Sequence, residues 1–106
     1  MSRSLGELSD LVARISDIYA ERFAVTRTDD WYLLKLQEEF GELVAEHLKG
    51  SGRGRLKGAD ADEIRQALED EAADVLAMFL LFARSQGIDL EAALTRKWFK
   101  YLPPDV

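Results

Sequence analysis

The sequence predicts an all-α protein, an antiparallel helical bundle of about four helices whose core is completed by oligomerisation. Three observations predict it. Apolar residues recur at spacings of three and four along four separate stretches, and each stretch opens on a Ser, Thr or Asp suited to capping a helix. Strand-like alternation is absent, as is any repeat of 20 to 50 residues. The run from Val75 to Ala83 is apolar nearly all round, so such a helix must be covered on more than one side. One subunit with four helices does this poorly, whereas a second subunit can do it.

Ser4-Leu5-Gly6-Glu7 has the form of a capping box. Leu5, Leu8, Leu11, Val12, Ile15, Ile18, Tyr19 and Phe23 then carry a first helix over residues 5–23. Thr26 to Asp30 is a polar break, with Thr28 or Asp29 as the next N-cap. The second helix is expected over 30–49, with Leu33, Leu36, Phe40, Leu43, Val44 and His47 as its apolar stripe. His47 is therefore read as a core or near-core histidine. Gly41 in mid-helix is either simply tolerated, at about 1 kcal/mol against Ala, or marks a close approach by another helix or a ligand.

Residues 50–58 hold four glycines and three cations, Arg53, Arg55 and Lys57. The pattern is not a P-loop, which needs Gly-Lys-Ser/Thr after a strand. It reads as a mobile connector, with a phosphate-touching lid as the other reading. Asp60 to Glu63 is a second capping signal and opens a helix over 62–86, ended by Gly87 in a left-handed conformation. Asp89 caps a last helix over 90–102, which Pro103-Pro104 ends.

The chain of 106 residues suits one domain spanning 1–106, and 47% hydrophobic residues are ample for a core. A net charge of -6 argues against nucleic-acid or membrane-surface partners, which need a basic face. There is no cysteine, so disulfides and thiolate metal sites are excluded, and a reducing compartment fits. No signal peptide is expected, because no basic segment followed by an apolar run opens the chain. The longest apolar run is far short of a membrane span, so the expected location is cytoplasmic.

The third helix carries the chemical anomaly. At about 100° per residue, Ile64, Val75, Met78 and Phe82 share one apolar stripe, and Glu71 and Asp74 fall on it. A helix that buries this stripe buries two carboxylates, and an ionised carboxylate in an apolar interior costs several kcal/mol unless paired or metal-bound. Either Arg and Lys neutralise the pair or a hard divalent cation does. On the second helix, Glu38, Glu39, Glu42 and Glu46 would ordinarily be a solvated face, with Glu39 at the border of the stripe. With the two helices antiparallel, Glu39, Glu42, Glu71 and Asp74 offer four oxygen donors across one interface. Oxygen donors favour Mg²⁺ or Mn²⁺ over zinc.

Glu38-Glu39-x-x-Glu42, then 28 residues, then Glu71-x-x-Asp74, resembles the signature of the MazG-like all-α nucleoside triphosphate pyrophosphohydrolases. The resemblance extends over Leu36 to Leu43, the Gly-Ile-Asp-Leu turn at 87–90 and the Lys97-Trp98 ending. It implies a helical dimer or tetramer that binds Mg²⁺, with Mn²⁺ as a substitute, and cleaves nucleotides between the α and β phosphates. By resemblance Glu39, Glu42, Glu71 and Asp74 match the metal ligands. Glu38 matches the extra acid that supports a further metal or the attacking water. Many relatives have Asn two residues before the Lys of the last helix and Arg a few residues after it, where this chain has Thr95 and Lys100 or Tyr101. The resemblance thus speaks for a reaction class more than for a substrate.

Under that reading Glu38 takes the proton of the attacking water. Lys97, with Arg96 and Lys100, holds phosphate oxygens. Trp98 stands with them as a substrate contact, its other reading being core or interface packing. The competing reading is a non-catalytic helical dimer, a binding or adaptor module whose acids are surface charge.

Overall fold

The computed structural model describes residues 2–105, and every regular element in them is helical. The helices are α1 (Leu5–Phe23), α2 (Asp29–Gly50), α3 (Ala61–Ser85) and α4 (Leu90–Lys97), followed by a 3-10 turn over Phe99–Tyr101. Four side-chain caps start them as the sequence predicts. Ser4 forms a reciprocal capping box with Glu7, and Thr28, Asp60 and Asp89 accept from the backbone N–H of Trp31, Glu63 and Ala92. Each satisfies an N–H that the helix itself leaves without a partner.

The helix ends are equally local in origin. Gly87 has φ +66°, and its N–H reaches the Arg84 carbonyl while that of Ile88 reaches Ala83. This is a Schellman closure, and glycine occupies its left-handed position without steric cost. At the end of α1 the same conformation falls on Ala24, with φ 52°. A left-handed alanine is disfavoured by about 1 kcal/mol. Ala24→Gly is therefore expected to stabilise the fold by roughly that amount, read as a higher urea midpoint with unchanged slope.

The last helix corrects the expectation of a single element over 90–102. Leu102 precedes Pro103 and is extended, with φ -69° and ψ 142°. Proline's ring excludes the helical region for the residue before it, so the chain leaves the helix early and its final turn tightens. Accordingly, Tyr101 and Leu102 donate to the carbonyls of Trp98 and Phe99, three residues back.

The principal pairing is α2 against α3, and its direction follows from which residues meet. Leu33, Leu36 and Phe40 share a groove with Val75 and Phe79. At the other end, a Cβ on Gly50 would lie 3.7 Å from Ile64 Cγ2. The helices are thus antiparallel, with the acidic turns of each midway along the pair. Next to them α1 leans on α3, fastened by Arg84, which donates to Asp10 at 2.8 Å and Ser9 at 3.2 Å.

Little of this chain is closed off from solvent by itself. The buried hydrophobic residues are Ala20, Leu80, Leu81 and Ala83, while Ile15 and Leu34 are 67% and 65% exposed. The radius of gyration is 16.8 Å, against about 13 Å for a compact domain of this length. His47 also departs from its expected place: it is exposed, with Arg53 Nη2 3.5 Å from its Nε2. Its place on the apolar stripe of α2 fixes which way it faces, not how closely another segment covers it. Gly41 meets open space, so no helix approaches it within the chain.

Candidate metal centre

Glu39 and Glu42 are one turn apart on α2 and face Glu71 across the antiparallel pair. The three carboxylates place oxygens within 4.8 Å of one another. Glu39 and Glu71 are half-buried and Glu42 is exposed. No Lys or Arg forms an ion pair with any of them among the described residues. Of the two ways to neutralise the acids, pairing within the chain is therefore not the one used.

The electrostatics record the strain. Burial, then the charges of Glu42 and Asp74, push Glu39 up from 4.5 to about 7. Glu71 is raised too, first by burial and next by Glu42. One oxygen of each, Glu39 Oε2 and Glu71 Oε2, is buried with no hydrogen-bond partner. A buried lone acceptor is costly, and carboxylates that bring oxygens within 4.8 Å of one another fit a cation between them. An all-oxygen donor set suits a hard divalent ion.

The remaining residues singled out from sequence are placed unequally. Asp74 is exposed and lies outside the group of three, although its charge acts on both Glu39 and Glu71. Glu38 is exposed and lies outside the group of three, accepting from Lys35 at 3.3 Å. Arg96, Lys97 and Trp98 line a groove with Leu76 and Phe79, one turn beyond Asp74 along α3. Lys100 lies over the ring of its neighbour Tyr101, 5.1 Å from the centroid, and lines no part of that groove.

A family model described as the MazG nucleotide pyrophosphohydrolase domain matches residues 27–102, well over half of the chain. The chain belongs to the MazG family. No significant match is found among curated proteins or among solved structures. The MazG match begins just before α2 and takes in α3, α4 and the 3-10 turn, so all three clustered carboxylates lie inside it. Within the MazG region the sequence missed one feature. Lys49 and Glu46 form an ion pair of 2.8 Å on the same side of α2 as the acids. From sequence Glu46 reads as part of a solvated face and Lys49 as modest i,i+4-type relief for its acids; their spacing of seven from Glu39 and Glu42 was the available signal for a shared side.

Proposed function

We propose that this chain is a Mg²⁺-dependent nucleoside triphosphate pyrophosphohydrolase that cleaves the α–β phosphate bond, giving a nucleoside monophosphate and pyrophosphate, and serves in nucleotide-pool house-cleaning. The pair of lone buried oxygens on Glu39 and Glu71 carries the reading, because a surface-charge role leaves them unexplained. Membership of the MazG family supports the reaction class. Mg²⁺, held by Glu39, Glu42 and Glu71 with Asp74 at the margin, would offset phosphate charge and lower the pKa of water.

The side chains do the rest. Glu38 is one residue from the metal ligands and, once released from Lys35, accepts the proton of the attacking water. Lys97, with Arg96 beside it, holds phosphate oxygens at the far end of the groove. Trp98 flanks them, and Lys100 contributes charge from the following turn. Hydrolysis of nucleotides with Mg²⁺ in heavy-oxygen-labelled water tests the route. Pyrophosphate as the first product with label in the monophosphate is expected; orthophosphate first, or no turnover, would refute it.

The working form is a homodimer or homotetramer. Exposed Ile15, Ile18 and Phe23 on α1 and Leu34 and Phe40 on α2 leave an apolar surface that a second copy would cover. Among the described residues no helix is long and apolar enough to cross a membrane. Sedimentation at micromolar concentration is expected to show no stable folded monomer; a well-folded monomer would overturn this part of the reading.

A further inference from the structure

We propose that Lys49, aligned by Glu46, is a specificity-determining residue that contacts the nucleoside end of the nucleotide held at the carboxylates. This inference rests on the hydrolase reading and extends it. Glu39, Glu42, Glu46 and Lys49 fall within an arc of about 80° on α2. Lys49 lies roughly 10 Å beyond Glu42 along the helix axis, within reach of a nucleotide whose phosphates sit at the acids.

The pair is built unlike any other ion pair in the described chain. Its side chains are only 25% and 17% exposed, whereas each of the other four pairs has at least one partner above 50%. The glycine-rich loop folds back onto it. A Cβ on Gly54 would lie 2.9 Å from the Lys49 backbone N and 3.1 Å from its Cγ, so only glycine lets the loop come this close. The stem of Lys49 is thus held from above and its ammonium from the side. A half-covered pair of this kind adds little stability. Its ammonium spends one donor on Glu46 and keeps two, and the carboxylate keeps lone pairs.

Direction decides which end of a nucleotide meets it. Lys97 lies past Asp74 near Leu76 and Phe79, and Lys49 lies at the opposite end of the antiparallel pair near the α2–α3 loop. With phosphates drawn toward Lys97, the nucleoside extends toward Lys49. There a fixed donor beside a fixed acceptor reads the hydrogen-bonding edge of a base, and a site of this type discriminates strongly against a base with the wrong pattern.

The test uses the full chain with Mg²⁺ and α,β-methylene analogues of the adenine, guanine, cytosine and uracil nucleotides, titrated by calorimetry. Lys49→Met is expected to change the ratio of affinities between preferred and disfavoured bases by at least about tenfold, with stabilisation by Mg²⁺ unchanged. Glu46→Gln, which leaves the ammonium but loosens it, is expected to shift the same ratio less and in the same direction. A uniform loss across all four bases in both variants would make Lys49 a phosphate contact or a structural residue and overturn the inference. Binding indistinguishable from wild type would overturn it too, while leaving the hydrolase reading intact. A wild-type chain that binds none of the four would overturn both.

Discussion

Glu71→Gln is expected to abolish Mg²⁺-dependent hydrolysis, by a factor on the order of 10³, while making the metal-free protein more stable. The two effects have one origin. Glu71 and Glu39 each bury a lone oxygen, and Glu42 and Asp74 add like charge around them. Without metal, the folded state holds these charges against their mutual repulsion. A glutamine removes one charge and supplies an N–H donor to the oxygen facing it, which is expected to stabilise the metal-free fold by about 1 kcal/mol. With metal the balance reverses, because the ion loses a ligand. Glu42→Gln should act likewise but more weakly on stability, since Glu42 is exposed. Melting curves in EDTA and in Mg²⁺ separate the halves. If Mg²⁺ stabilises wild type and both variants equally, these carboxylates are not its ligands.

How much of this was legible beforehand depended on how local the cause was. The caps at Ser4, Thr28, Asp60 and Asp89 are contacts within one turn, and the sequence carries them directly. Glu71 was conspicuous because a carboxylate interrupts an apolar stripe, and Glu39 because it borders one. Features that depend on a distant segment were not legible. The cover over Lys49 comes from Gly54 returning across the helix end, which no periodicity encodes. Asp74 shares the Glu71 stripe in projection, yet three residues turn it 60° further round and leave it in solvent beside the cluster. His47 was misjudged for a related reason: azimuth says which way a side chain faces, not whether anything lies opposite.

Metal binding and stability are both expected to depend on pH around neutrality, in opposite senses. Glu39 is raised to about 7 in the folded chain from an ordinary 4.5, and Glu71 is raised with it. A carboxylate whose folded pKa lies above its unfolded value favours folding while protonated. That contribution is fully present below the unfolded value and is lost as pH rises through the folded one. The metal-free protein is therefore expected to be more stable near pH 5 than near pH 8, by on the order of 1 kcal/mol once solvent screening at these half-exposed acids is allowed for. Metal binding follows the other sign, since the ligand form is the ionised carboxylate. Affinity for Mg²⁺ is expected to rise between pH 6 and pH 8, and binding near pH 7 to release protons. Calorimetric titration of Mg²⁺ in buffers of different ionisation enthalpy measures that release. The slope of melting temperature against pH, with and without Mg²⁺, measures the stability half. A metal-free protein that grows steadily more stable from pH 5 to pH 8 would mean that Glu39 is ionised throughout, and that a cation of the protein's own occupies the position assigned here to the metal.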